Sequence, residues 1–203
     1  MSGSTEGDQR HGYRIALARP QDLALLPHVE LAAARLLDGH APESVLNEPT
    51  SDADFLEAQR RGHLWVALTG DVAVGFAHVT LLESVAAHLN ELDVHPSHGR
   101  RGLGTRLVMQ ACDWAAANGY ESVTLSTFRE VAWNMPFYAR LGFTVISADA
   151  LSPALRSIVA HEGRQGLDTD RRVVMRRLCR PERSEGIVLE RSVSEGTLGV
   201  RGA

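Results

Sequence analysis

The chain has 203 residues, which suits one domain with a substantial core, and its formal net charge of −4 provides no basic footprint for nucleic acid. All 21 basic residues are arginine, so the chain lacks the lysine that a phosphate-binding P-loop or a pyridoxal enzyme requires. No run of about 18 apolar residues occurs, which excludes a membrane-spanning helix. The two cysteines form neither a disulfide framework nor a metal site, which fits a reducing cytoplasm.

The first half of the chain predicts strands and helices in alternation. Residues 1–12 are polar and lack an apolar signal core, so we expect a flexible leader and a cytoplasmic location. Residues 13–19 alternate as a strand does, and Pro20 then opens an amphipathic helix. After a loop at residues 38–50, Ser51 or Asp52 is expected to cap a second helix.

The middle of the chain predicts a hairpin and a crossover. Two apolar stretches around Thr69-Gly70-Asp71 predict a hairpin, and residues 86–94 predict a third strand, or third arm, that pairs with it. A helix from about Gly102 to Asn118 follows, because its apolar residues recur every three or four positions. Residues 122–128 form the next predicted strand, which completes a βαβ unit.

The last part predicts a short helix at residues 135–141, with Asn134 as its cap, and two closing strands. The strands are separated by an insert at residues 149–170 that has a helical piece of its own. Residues 179–203 change in character, and we expect a disordered extension. The predicted fold is α/β: a mixed, mostly antiparallel sheet of about seven strands flanked by helices, in a single domain at residues 13–178.

A loop rich in glycine and arginine, residues 99–106, joins the third arm to the long helix. The first turn of a helix has N–H groups without intrahelical partners and a partial positive charge, and glycine lets a diphosphate approach the backbone closely. Arg100, Arg101 and Arg106 would add charged donors. The simpler alternative is a plain turn. A dinucleotide-binding loop is disfavoured because Leu107 occupies the place of the third glycine.

The stretch V-H-P-S-H-G-R-R-G-L-G, residues 94–104, resembles motif A of the GNAT superfamily of acyl-CoA-dependent N-acetyltransferases. The opening Y-R-I-A-L-A-R-P-Q-D-L and the late F-Y-A-R-L-G-F are also similar to that family, so the resemblance covers about residues 13–178. Two positions depart from the family pattern. Gly99 stands where Gln or Arg is usual, and Val131 stands where Asn is frequent, with Asn134 three residues later.

The resemblance implies transfer of an acetyl group from acetyl-CoA to a primary amine of a small molecule or peptide, by direct attack in a ternary complex without a metal. Backbone groups of Leu92, Asp93 and Val94 would pair with the pantetheine arm, and the Val94 N–H would meet the oxyanion. The remaining candidate cofactor-binding residues are those of the loop and the late cap: Arg100, Arg101, Gly102, Leu103, Gly104, Thr105 and Asn134.

Two side chains are the candidate catalytic groups. Glu91 and Asp93 share one face of an alternating strand, and we expect Glu91 to accept the amine proton; a solvated strand face is the alternative. His88 and His95 are weaker candidates for the base. By the same resemblance, Tyr138 would return a proton to the coenzyme A thiolate, a transfer that is uphill by about 2 kcal/mol for an unperturbed phenol.

Further expectations concern the acceptor and the partners. In the family, the acceptor is chosen by the segments that correspond to residues 37–50 and 149–170, and their acidic side chains favour a cationic amine. The resemblance also allows a homodimer paired through the late strands. A metal site at Asp93, His95 and His98 lacks further ligands, and Cys112 is expected in the core. The rival function is a non-catalytic module that binds acyl-CoA and regulates a partner.

Overall fold

The structure is a computed structural model that describes residues 12–83 and 86–179. Residues 1–11 of the expected leader (1–12) and residues 180–203 of the expected C-terminal extension (179–203) lie outside the described part. One sheet contains seven strands in the order β1-β2-β3-β4-β5-β7-β6. The strands are β1 (Tyr13–Leu17), β2 (Leu64–Thr69), β3 (Val72–Glu83), β4 (Ala86–Val94), β5 (Ser122–Phe128), β6 (Thr144–Val145) and β7 (Arg172–Leu178).

The sheet is antiparallel except where β4 and β5 run parallel, which confirms the predicted mixed topology. A parallel pair needs a crossover, and the long helix between β4 and β5 supplies it. The α-helices are α1 (Leu26–Ala34), α2 (Glu43–Leu46), α3 (Asp52–Arg60), α4 (Leu103–Ala117), α5 (Met135–Arg140) and α6 (Pro153–Arg164). In the described part, no helix has the length and apolarity to cross a membrane.

Helices cover both faces of the sheet and bury two main apolar clusters. Helix α4 packs its predicted stripe against one face, where Leu107, Ala111 and Ala115 are fully buried. Helices α1 and α3 cover the other face, where Phe55 and Phe76 meet edge to face with ring centroids 5.3 Å apart. Full burial of such a side chain contributes about 1.5–3 kcal/mol, so these two clusters hold the strands in register.

A third, smaller cluster lies at the end of the sheet where β5 stops. Phe128, Val131 and Leu167 are buried there, and residues 37–45 pack against them. Val131, which stands where the family pattern often has asparagine, therefore has a packing role. The cluster joins the two segments expected to choose the acceptor.

Several local predictions differ from the structure. The loop predicted at residues 38–50 contains the single-turn helix α2, and β6 has only two residues. Ser51 caps α3 by accepting a hydrogen bond from the Asp54 N–H, as predicted. Asn134 precedes α5, but its side chain makes no cap hydrogen bond; its backbone carbonyl accepts from the Phe137 and Tyr138 N–H groups instead.

Candidate active site

Strands β4 and β5 pair over three residues and then separate. Their parallel ladder runs from Ala86 opposite Ser122 to His88 opposite Thr124, although both strands continue beyond it. The register between β3 and β4 shifts at the same level, because His78 faces Glu91 while Val79 faces Leu89. Asn90 is the extra residue of this bulge. A bulge bends its strand, so it accounts for the gap that opens between β4 and β5.

The bulge leaves backbone groups of β4 facing the gap. The His95 N–H donates to the Val74 carbonyl at 2.9 Å, on the β3 side. Because neighbouring residues of a strand direct their backbone groups to opposite edges, Leu92 and Val94 present theirs to the gap. The backbone of Asp93, which was also predicted to bind the cofactor, faces β3.

The glycine and arginine loop leads from this gap into helix α4. Gly102 has φ +76°, and this left-handed backbone favours glycine even though a Cβ there would meet no described atom within 4 Å. Arg100 also has a positive φ, of 57°, which is strained for a side-chain-bearing residue. The first intrahelical bond is from the Arg106 N–H to the Gly102 carbonyl. The N–H groups of residues 103–105 therefore lie before the helical ladder and point out of its first turn.

The arginines of the loop divide their roles. Arg106 donates to the Tyr13 carbonyl at 3.3 Å, so it braces α4 against β1. The Arg101 guanidinium lies over the Tyr13 ring at 5.7 Å. Arg100 is exposed. Gly99 suits the turn before the loop, because a Cβ there would lie 3.1 Å from the Pro96 carbonyl oxygen.

Glu91 and Asp93 form a carboxyl pair at the gap, on the face of the sheet that α1 covers. Loss of solvent and the negative charge of Glu30 raise the pKa of Glu91 to about 7. The charge of Arg172 and hydrogen bonds from the Asp93 side chain and the Leu92 backbone act in the opposite direction. Loss of solvent and the charges of Glu91 and Glu30 also raise the pKa of Asp93 well above its ordinary value. The two carboxyl groups share a hydrogen bond, and Asp93 Oδ2 is buried without a partner among the described residues. The hydrogen bond between them favours ionised Glu91 and protonated Asp93, so the two groups titrate as a coupled pair.

Glu30 belongs to the same acidic group and is held by the segment before α3. Its carboxylate accepts the Thr50 N–H at 3.0 and 3.1 Å and the Thr50 hydroxyl at 3.0 Å. Loss of solvent nevertheless raises its pKa. The predicted acceptor segment at residues 37–50 therefore positions a third carboxylate beside the pair.

Tyr138 approaches the gap from the opposite face, where it packs against Phe137 and Phe143. Loss of solvent raises the pKa of its phenol strongly, and the charges of Glu91 and Asp93 raise it further. The prediction of a phenol near its ordinary pKa is therefore wrong, because a sequence does not reveal this burial. The charges of Glu91 and Asp93 are among the causes of this shift, which places the phenol within electrostatic range of the carboxyl pair.

A sequence model of the acetyltransferase (GNAT) family matches residues 33–143, more than half of the chain. The chain belongs to this family. The fold is also that of the PaiA N-acetyltransferase from Thermoplasma acidophilum, solved with coenzyme A, at TM-score 0.65 and 18% identity over 82% of this chain and 98% of that one.

Two further acetyltransferases share the fold. The N-acetylglutamate synthase of Neisseria gonorrhoeae, solved with coenzyme A and N-acetyl-glutamate, matches at TM-score 0.63 and 18% identity over 85% of this chain and 36% of that one. A ribosomal-protein alanine N-acetyltransferase of Escherichia coli matches at TM-score 0.57 and 19% identity over 82% and 94%. The gap between β4 and β5 therefore lies in a fold that this family member shares with the three solved acetyltransferases.

The histidines considered as bases occupy different settings. His88 is buried, shares a hydrogen bond of 2.9 Å with the Thr124 hydroxyl, and has its pKa lowered to about 4 by loss of solvent, so its ring is neutral. His95 stacks on His28 and shares a 2.7 Å hydrogen bond with the Ser97 hydroxyl. Neither ring joins the carboxyl pair and Tyr138. Within the described residues, no group of His, Cys, Asp and Glu side chains could hold a metal ion.

One polar group beside the gap was not predicted from the sequence. The Arg172 guanidinium binds the Glu162 carboxylate through two nitrogens, at 2.6 and 3.2 Å, and both side chains are 12% exposed. The Ser126 hydroxyl donates to Glu162 at 2.9 Å and accepts from Arg172 at 3.3 Å. The only sequence signal was an arginine directly before the apolar run at residues 173–175. Cys112 is buried in the core as expected.

Proposed function

We propose that this chain transfers an acetyl group from acetyl-CoA to a primary amine of a small molecule or peptide, by direct attack in a ternary complex. One observation carries the proposal: the Glu91–Asp93 pair and Tyr138 lie within electrostatic range of one another at the gap between β4 and β5, and the chain leads from this gap into the N-terminus of α4. Two of the neighbouring structures were solved with coenzyme A, which supports the choice of co-substrate.

The residues present fit a diphosphate-bearing thioester. Leu92 and Val94 offer backbone groups along the open edge of β4, where an extended amide-containing arm can pair as an added strand. The N–H groups at the start of α4 favour a diphosphate. At Gly104, an added Cβ would meet only the Phe137 ring among the described residues, at 3.5 Å, so the glycine leaves room at the first turn. When bound, the co-substrate supplies an acyl group whose carbonyl is open to attack.

Glu91 is the proposed base. Its pKa of about 7 lies nearer to that of an alkylammonium, about 10.4, than an ordinary carboxylate does, so it accepts the amine proton more readily. Its pKa also predicts that kcat/KM falls as the pH drops below about 7, because the carboxylate is then lost. Asp93 Oδ2, buried and without a partner among the described residues, is suited to accept an N–H of the amine.

Tyr138 is the proposed acid, and its role depends on the state of Glu91. While Glu91 is ionised, its charge raises the pKa of the phenol and keeps the proton on Tyr138. Once Glu91 has taken the amine proton, this charge disappears and the phenol becomes a better donor. The proton is then available at the stage when the thiolate leaves.

The acceptor is proposed to be a cation. Glu30, Glu91 and Asp93 concentrate negative charge on the acceptor face, and Glu30 is fixed by Thr50. An ammonium group gains from these carboxylates, whereas a carboxylate-bearing acceptor would be repelled unless a cation compensates.

The experiment is a free-thiol release assay with acetyl-CoA and a panel of amines, run with the wild-type chain and Glu91→Gln. The panel contains small polyamines, aminoglycoside-like amines and peptides with free N-termini. Thiol release that depends on one amine class and on Glu91 supports the proposal. Tight coenzyme A binding without release for any amine would favour the non-catalytic acyl-CoA-binding module.

A further inference from the structure

The buried Arg172–Glu162 pair lies on the same face of the sheet as the carboxyl pair. Thr124 bonds to His88 on this face, and Ser126 and Phe128 follow at intervals of two along β5. Arg172 is opposite Phe128 in the β5–β7 ladder, and its guanidinium lies over the Phe128 ring at 4.5 Å. Beyond the bulge, Glu91 faces that side too. Arg172 and Glu91 thus lie on the same face of the sheet, on opposite sides of the gap between β4 and β5.

The pair also connects the insert to the sheet. Glu162 belongs to α6, whereas Arg172 and Ser126 belong to β7 and β5. Breaking a buried ion pair leaves an uncompensated charge, so such a pair is costly unless it is complete. The site therefore contains a cation whose net charge depends on a carboxylate brought by the insert.

We infer that Arg172, held and partly neutralised by Glu162, is a positioning residue that sets the charge balance at the Glu91–Asp93 pair from across the gap. The inference rests on the proposed function for its meaning in catalysis. It also assigns a role to the insert: α6 supplies the carboxylate that keeps Arg172 from over-stabilising the ionised base.

The surrounding groups agree with this assignment. Positive charge on Arg172 lowers the pKa of Glu91 and of Tyr138, opposing the effects of burial and of the neighbouring carboxylates. Titratable groups near Glu91 come from five elements: Asp93 on β4, Glu30 on α1, His78 on β3, Arg172 on β7 and, from the opposite face, Tyr138 on α5.

Neutralising Glu162 and neutralising Arg172 should move the pH profile of kcat/KM in opposite directions. This difference separates an electrostatic role of the pair from a purely structural one. Glu162→Gln leaves Arg172 uncompensated, so the acid limb of the kcat/KM profile should move to lower pH. Arg172→Met removes the cation, so the limb should move to higher pH. Each displacement is expected to be on the order of half a pH unit to one unit. A role confined to packing would reduce activity in both variants without opposite displacements.

The experiment compares four proteins: wild type, Glu162→Gln, Arg172→Met and the double variant, which should return the limb close to wild type. The matched control is Glu57→Gln, which breaks an exposed pair with Arg61 (2.6 Å) on α3 and should leave the profile unchanged. If Arg172→Met does not fold, the downward displacement in Glu162→Gln and its reversal in the double variant decide the question.

A second readout does not require turnover. Carbon-13 titration of the Glu91 carboxyl, assigned with Glu91→Gln, should give a midpoint at lower pH in Glu162→Gln and at higher pH in Arg172→Met. Displaced midpoints without thiol release for any amine would refute the proposed function but support the role of Arg172. Turnover with unmoved or co-directional midpoints would overturn the role of Arg172 and leave the proposed function standing.

Discussion

Replacing Glu91 by glutamine should stabilise the protein at high pH. Loss of solvent raises the pKa of Glu91 from 4.5 to about 7, so the folded chain binds more protons than the unfolded chain between these values. The wild type therefore loses stability as the pH rises through this window and does not regain it above. Glu91→Gln removes the ionisation, and it also relieves Asp93 of a neighbouring negative charge.

The size of this stabilisation follows from the difference between the ordinary pKa of Glu91, 4.5, and its pKa in the folded chain, about 7. At about 1.36 kcal/mol per pH unit, this difference corresponds to an upper bound of roughly 3 kcal/mol. Glu91 is half-buried, so solvent screening reduces the expected gain to about 1–2 kcal/mol. For a chain of this size that is a rise in Tm of roughly 2–8 °C at about pH 8.5. At about pH 5 the gain should shrink to a small fraction of this value.

The assay is thermal unfolding of wild type and Glu91→Gln across this pH range, with Glu57→Gln as the exposed control. The decisive quantity is how the difference in Tm between variant and wild type changes with pH, because a packing effect shifts this difference equally at every pH. A difference that does not change with pH would refute the assignment of Glu91 as a desolvated, ionisable group at the gap.

Three further predictions test other parts of the site and the core. Tyr138→Phe should lower kcat by about 10²-fold or more without a large change in coenzyme A affinity, while Tyr120→Phe, on the aromatic stack with Trp114, should leave kcat unchanged. Gly102→Ala and Gly70→Ala, both at positive φ, should each cost about 1–2 kcal/mol in unfolding experiments, but only Gly102→Ala should weaken coenzyme A binding measured by calorimetry. Leu107→Ala, which truncates a fully buried side chain of α4, should cost about 2–5 kcal/mol in denaturant unfolding; a cost below about 1 kcal/mol would contradict its place in the core.

Periodicity sufficed to predict the order of strands and helices, because amphipathic patterns depend on local spacing. It predicted α4 within one residue at each end and placed Glu91 and Asp93 on one face of β4. It did not predict the bulge at Asn90, since an extra residue in one strand is visible only against its partner. That bulge is what turns the backbone of Leu92 and Val94 toward the gap.

The sequence pattern also did not reveal the long-range charge pairs. Arg172 and Glu162 are ten residues apart, on a strand and a helix separated by a turn, and no local rule pairs them. The sequence likewise did not reveal that Arg106 donates to Tyr13, which lies on a strand more than ninety residues earlier. Burial, which raises the pKa of Tyr138, likewise arises from tertiary packing.

The most direct test of the account is thermal unfolding of the wild-type chain with increasing coenzyme A. A ligand held by the α4 N-terminus and the open edge of β4 should stabilise the folded state by about 2.7 kcal/mol at a hundred times its Kd, which corresponds to a rise in Tm of roughly 5–10 °C. The same titration with Gly102→Ala should require more coenzyme A for an equal rise. A Tm that stays constant up to millimolar coenzyme A would contradict the account.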